Sequence, residues 1–330
     1  MSILKNKFHT MRHQFLQGIS LPTMDVFAEK AEAFLRAEHI VRFFYFSLLY
    51  FSVLFFTTWW DVSFITQANI APFWPVSWMR FVDATIAVYA IRVFFIATTF
   101  LAALFPAWRL TRVLAFVGLL EFVSLYASFW KLDVDWYTWV LIAFLLIFLP
   151  SGWNNSAQTS FFNKKKFLLV FFACQASLLL TYSMSALGKI VGLFQQISAG
   201  EVHSLAIDAT ALHIADRLLT TNATSILGPF VIDYPWIAWP FFIGFNFYLM
   251  LFSFLATFRP SIHASWAAGL ILYHIAAYLT MNIGFTANIL LLAMFFFFSP
   301  FAKDNTPWRI IVLDMPLFGW LQRIPFMRQS

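Results

Sequence analysis

Long apolar runs decide what this chain can fold into. An α-helix needs about 20 predominantly apolar residues to cross the hydrocarbon core of a bilayer. About eight runs approach that length, at approximately 40–60, 84–105, 112–130, 136–150, 167–189, 236–257, 264–281 and 285–301, the fourth and eighth being short. Breakers separate most of them: Phe105-Pro106, Pro150-Ser151-Gly152, Arg259-Pro260, Asn282 to Gly284 and Ser299-Pro300. Composition agrees. Apolar residues are 61% of the 330 and charged residues 11%, whereas a soluble domain is about 45–50% apolar and about 25% charged. A soluble globular protein, a disordered chain and a disulfide-stapled secreted domain are excluded. The single cysteine, Cys174, allows no internal disulfide and no cysteine-based metal site. The expected fold is all-α: a polytopic transmembrane helical bundle of about eight spans with interfacial amphipathic helices.

Residues 1–39 mix basic and acidic side chains and lack the short apolar core and cleavage site of a secretory signal. They read as a cytoplasmic or interfacial N-terminal segment, with an amphipathic surface helix over 27–35. The transmembrane domain covers 40–301, and 302–330 form a cytoplasmic tail. The one long connection, 190–235, carries an amphipathic pattern from His203 to Thr220, with Leu205, Ala209, Leu212 and Leu219 at helical spacing. It reads as a helix on the outer leaflet, either a lid over a cavity or a simple interfacial helix.

An even number of spans puts both termini on one side. That side holds Lys5, Lys7, Arg12, Lys30, Arg36, Arg42, Arg109, Arg112, Lys164 to Lys166, Arg259, Lys303, Arg309, Arg323 and Arg328. The opposite side holds only Arg80, Lys131, Lys189 and Arg217, beside Asp61, Asp83, Asp133, Asp135, Glu201, Asp208, Asp216 and Asp233. The positive-inside rule then makes both termini cytoplasmic, in an integral protein of the cell's inner or plasma membrane. The formal charge of +6 bears on orientation rather than on nucleic acid, and the Lys164 to Lys166 run is a membrane anchor. Membrane lipids are the expected surroundings.

Ionisable residues at membrane depth are costly, so each is a candidate site. Arg92 in the second run and Glu121 in the third lie at similar depth in antiparallel neighbours and are expected to form a structural ion pair. Lys189 ends the fifth run, and Tyr182 and Ser185 share its helical face. A phenol, a hydroxyl and an amine in one stripe can wall a site; the bland reading is a lysine snorkelling to the outer headgroups. His274 lies in the seventh run with Tyr278 one turn later and Asn282 and Asn288 flanking the next turn. It is either an interhelical hydrogen bonder or a second wall of an outward-facing cavity that also holds Lys189. No Gly-rich phosphate loop, no His-Glu-x-x-His motif and no serine elbow occurs, and the seven histidines are too dispersed for a metal centre.

Thr181-Tyr182-Ser183-Met184-Ser185-Ala186-Leu187-Gly188-Lys189-Ile190 resembles the Tyr-x-x-x-(Gly/Ala)-x-x-Lys-(Leu/Ile) segment of vitamin K-dependent gamma-carboxylase and its bacterial relatives, the horizontally transferred transmembrane (HTTM) proteins. Leu272-Tyr273-His274 and, further on, Ile283-Gly284-Phe285 are similar to that family's Phe-His…Ile-Gly signature, and Ile40-Val41-Arg42-Phe43-Phe44 resembles its first span. The likeness covers about residues 35–301. It implies that Lys189 acts as a base on a reduced, vitamin K-like quinone at the outer side, and that oxygenation of the quinone yields a stronger base for carboxylation of a peptide glutamate. A lysine can do this where desolvation favours the neutral amine. Two features depart from the carboxylase: Lys131 to Trp136 holds carboxylates where that enzyme has a histidine, and no large domain follows the last run. Propeptide-guided carboxylation is therefore not expected.

Two functional readings follow. In the first, the chain is a carboxylase- or epoxidase-like lyase or an oxidoreductase using a reduced quinone and no metal. Lys189 and His274 are then catalytic, Tyr182, Ser185, Tyr278 and Asn282 bind the cofactor, and Arg92 and Glu121 hold the frame. In the second, it is a non-catalytic membrane subunit or assembly factor of a larger complex. A transporter is a third, weaker reading, because neither an inverted repeat nor a pair of broken helices is visible in the sequence.

Overall fold

The computed structural model describes residues 24–58, 72–129, 134–153, 159–302 and 306–318. The first part of the N-terminal segment, most of the tail and the Lys131 to Asp133 stretch lie outside them. Among the described residues every regular element is helical. Five helices are long and apolar enough to cross a membrane: Ala31–Thr57, Ala84–Leu104, Arg109–Ser128, Phe161–Ala199 and Pro260–Met281. Trp136–Leu146 and Thr286–Phe297 are apolar but shorter. The chain divides into two compact units, Met24–Cys174 and the residues from Gln175 onward.

The first unit contains α1 (Met24–Glu29), α2 (Ala31–Thr58), a 3-10 stretch (Trp74–Phe81), α3 (Ala84–Leu104), α4 (Arg109–Phe129), α5 (Val134–Leu146) and the start of α6 (Phe161–Ala199). The expected surface helix over 27–35 is split: its first half ends α1, and its second half opens the first long helix. Pairs one turn apart, Arg36 with Glu32 at 2.6 Å and Arg42 with Glu38 at 2.9 Å, support that early helical start. Asp83 caps α3 by accepting hydrogen bonds from the backbone N–H of Thr85 and Ile86.

Lipid tails are as apolar as leucine, so helix association in a bilayer rests on close packing rather than on water release. Gly118 shows this between α3 and α4: a Cβ there would lie 2.4 Å from Thr98 Oγ1 and 3.3 Å from Phe95 Cα. Around it, stacked and edge-on rings of Phe44, Trp139, Phe51, Trp136, Phe55, Phe122 and Phe95 fill the interior. Arg112, expected only as a cytoplasmic charge, is fully buried. Its Nη1 donates to the Pro106 carbonyl at 2.9 Å and its Nη2 to the Leu149 and Pro150 carbonyls at 2.6 and 3.4 Å. It thus satisfies the carbonyls just beyond the C-terminal ends of α3 and α5, where a positive charge is favourable.

The second unit takes α6 from Gln175 on, then α7 (Ala209–Thr221), α8 (Gly228–Asp233), α9 (Pro235–Ile243), α10 (Ser253–Ala256), α11 (His263–Met281), α12 (Thr286–Leu292) and α13 (Trp308–Asp314). The expected span over 236–257 is not one helix. It is broken into α9, a π-helical segment Gly244–Leu249 and the short α10. Pro240 inside α9 has no N–H to continue the ladder, and the Met250 N–H bonds five residues back to Phe245. Ser183 of α6 covers the break. Its Oγ donates to the Leu251 carbonyl at 2.9 Å and accepts from the Phe254 N–H at 2.9 Å. The run reads as continuous in sequence because most residues around the break are apolar and none is charged.

Lys189 does not end its helix, which continues to Ala199 and stops where Gly200 adopts φ 68. The amphipathic pattern of the long connection becomes α7, closed by Asn222 in the left-handed region at φ 54. Gly228 lets α8 press onto α11, since a Cβ there would meet Thr280 O at 2.8 Å. A buried polar chain ties α6, α11 and the end of the last apolar helix. Gln175 Nε2 donates to the Phe295 carbonyl and to Ser299 Oγ, Ser299 lies 2.9 Å from His263 Nδ1, and His263 Nε2 donates to the Thr257 carbonyl at 2.9 Å. A carbonyl only accepts, so the contact with Thr257 places a proton on His263 Nε2.

Candidate functional site

The site lies in the second unit, where α6, the π segment and α11 converge. Tyr182 and Lys189 stand two turns apart on α6. His274 and Tyr273 are neighbours on α11. The interruption of 236–257 supplies Asn246 and Met250. Tyr182 and His274 are 6% and 3% exposed, and Asn246 is wholly buried.

The Tyr182 hydroxyl and His274 Nε2 are 2.6 Å apart, so one proton is shared between phenol and imidazole. The other ring nitrogen, Nδ1, is buried and has no hydrogen-bond partner among the described residues. It is either a free acceptor or a free donor, according to which partner of the pair carries the shared proton. Phe285 covers the imidazole with its ring centroid 4.6 Å away.

Lys189 Nζ donates to Asn246 Oδ1 and contacts Met250 Sδ at 3.5 Å. Its ammonium position lies 5.7 Å from the Tyr273 ring centroid, a cation–π distance. Asn246 Nδ2 donates to the Phe242 carbonyl at 3.0 Å, and this sets the amide so that its oxygen faces the amine. The Tyr273 hydroxyl donates to the same oxygen at 3.4 Å. Among the described residues no carboxylate lies within ion-pair distance of Lys189. An amine, an imidazole and two phenols without a carboxylate can hold an acidic hydroxyl or an anion and can move a proton.

Of the residues expected from sequence, Tyr182 and His274 are brought into direct contact, and Lys189 joins them through Tyr273. Ser185, Tyr278 and Asn282 are exposed. Asn282 has a conformational role: at φ 53 it ends α11, its N–H bonding the Tyr278 carbonyl. Arg92 and Glu121 belong to the first unit. Arg92 Nη2 donates to the Phe55 carbonyl at 3.5 Å and its guanidinium lies 5.8 Å from the Phe56 ring centroid, while Glu121 is half-buried on α4.

Asn246 is not among the residues expected from sequence, although an amide in an apolar run is itself expensive and so informative. Tyr273 stood only as part of the Leu272-Tyr273-His274 segment and Met250 carried no signal, since aromatic and thioether side chains are common in such runs. Comparison of the chain with protein-family models, with curated proteins and with solved structures finds no match.

Proposed function

We propose that the chain is a membrane enzyme of the HTTM type that performs base chemistry on a reduced quinone in an outward-facing intramembrane cavity. Its membrane character rests on the five long apolar helices. The single observation that carries the reading is the buried pair Tyr182–His274 with the Lys189 amine one residue away through Tyr273. The resemblance of the Tyr182 to Ile190 and Tyr273 to Phe285 segments to the carboxylase family supports it.

The residues fit a hydroquinone. Among the described residues His274 Nδ1 is a buried polar atom without a partner and no carboxylate pairs with the amine, and the Phe285 and Tyr273 rings lie beside the imidazole. When bound, a reduced quinone supplies an acidic hydroxyl and two electrons for reaction with oxygen. Lys189 takes the hydroxyl proton at Nζ. Asn246 holds Nζ in place, and the Tyr182–His274 pair orients the guest by a hydrogen bond at Nδ1. Phe285 keeps water from the imidazole. No metal enters this scheme. Both termini lie on the cytoplasmic side, in the inner or plasma membrane, with the 190–235 segment outside.

One observation favours the alternative, a non-catalytic subunit or assembly factor: Lys189 and Asn246 satisfy each other, as a purely structural polar lock would. Lipid extraction of purified protein decides between them. Under the enzyme reading the wild type carries a co-purifying quinone that Lys189→Ala and His274→Ala reduce. Repeated absence of quinone from folded wild-type protein refutes that reading and leaves the subunit, whose membrane-protein partner is then sought by crosslinking.

A further inference from the structure

The π segment Gly244–Leu249 is held from two directions. Asn246 faces Lys189 and Tyr273. Two residues later, the Tyr248 hydroxyl donates to the Pro316 carbonyl at 2.8 Å, and the Tyr248 ring meets Phe318 edge-on at 5.8 Å. The chain reaches Pro316 from α13, whose end is fastened at Asp314. Arg259 Nη1 donates to the Asp314 carbonyl and Ser261 Oγ to its carboxylate. Between Pro316 and Phe318, Leu317 sits at φ 69, a conformation that residues with a Cβ rarely adopt. Its side chain is 64% exposed, so its own packing does not offset that strain. The conformation is that of a turn closed by the Phe318 N–H on the Met315 carbonyl at 3.0 Å, and both residues flanking Leu317 rest on Tyr248.

A π turn carries one residue more than the α-helical register around it. Relaxing it by one residue rotates the following side chains by roughly 100°. Such a shift within 244–249 would turn Asn246 away from Lys189, and Tyr248, two residues further on, is the point where the segment is fastened.

We propose that residues 308–318 form a strap that, clasped on Tyr248, keeps the π segment in the register that presents Asn246 to the Lys189 amine. Release of the strap frees the amine. With the expected topology, the strap connects the cytoplasmic face to an outward-facing site. The inference goes beyond the quinone reading and does not depend on it, because its readout is the chemical reactivity of Lys189.

The test uses the full chain in lipid nanodiscs. Phenyl isothiocyanate, a membrane-permeant amine reagent, modifies the lysines, and peptide mass spectrometry follows Lys189 against Lys164 as internal reference. Tyr248→Phe keeps the ring and removes the hydroxyl; it raises the Lys189 rate about 5-fold, the scale of one lost hydrogen bond. Leu317→Gly relieves the positive φ and tightens the strap, lowering the rate about 2-fold or more. Opposite shifts in the two variants support the strap. Rates unchanged in both, or shifts in the same direction, overturn it. If Tyr248→Phe does not assemble, Leu317→Gly decides alone: a slower rate supports the strap, and an unchanged or faster rate overturns it.

Discussion

Tyr182 and His274, on different helices, share a single proton across 2.6 Å while the far nitrogen of the imidazole stays buried and unpartnered. A histidine placed only to bond two helices is complete once one nitrogen is engaged and the other reaches a carbonyl or solvent. Among the described residues the second nitrogen has neither, which leaves a buried polar atom that helix packing alone does not account for.

Tyr182→Phe tests the pair. It leaves His274 Nε2 buried without its partner, so the folded state loses about 1–3 kcal/mol. Thermal unfolding in detergent measures this. A variant as stable as the wild type would mean that the contact contributes nothing.

Lys189→Met removes the amine and keeps most of the side-chain volume. Under the proposed function, quinone-dependent turnover disappears while the protein still folds, because among the described residues Lys189 makes no ion pair for the change to break. Lys189→Arg does not restore turnover, since a guanidinium keeps its proton. Turnover retained in Lys189→Met would remove the base from the scheme.

Gly118→Ala probes the closest helix approach. Its Cβ collides with Thr98 Oγ1, a cost of about 1–3 kcal/mol in a packed interior. Adding Thr98→Ala removes that oxygen and recovers part of the loss. Strictly additive single effects in the double-mutant cycle would show that the two positions do not meet.

Orientation is open to single-cysteine labelling, because the native Cys174 is buried. In sealed right-side-out vesicles, a membrane-impermeant maleimide should label Glu201→Cys directly. Lys166→Cys should need permeabilisation. The reverse pattern would invert the topology.

Several elements were legible from residues alone. The apolar runs at 84–105 and 112–130 correspond to α3 and α4 within a few residues, because a helix interior in lipid must be continuously apolar and its ends carry breakers such as Phe105-Pro106. The pattern of the long connection foretold α7. The end of α6 did not follow from the end of the apolar run at Lys189: the helix continues to Ala199 and stops where the backbone turns left-handed at Gly200. Arg112 looked like a surface charge because sequence shows its type, not the carbonyls that converge on it.

The sequence by itself determined that the chain is helical and suited to a membrane, and that an amine and an imidazole lie at the ends or within apolar runs. Hydrocarbon tolerates no unpaired backbone, so composition and run length decide those matters locally. Only the tertiary structure decided that 236–257 is broken, that Asn246 meets Lys189, and that Tyr182 meets His274. Those outcomes depend on which helices lie side by side and in what rotation, and among uniformly apolar surfaces rotation is set by a few close contacts far apart in the chain.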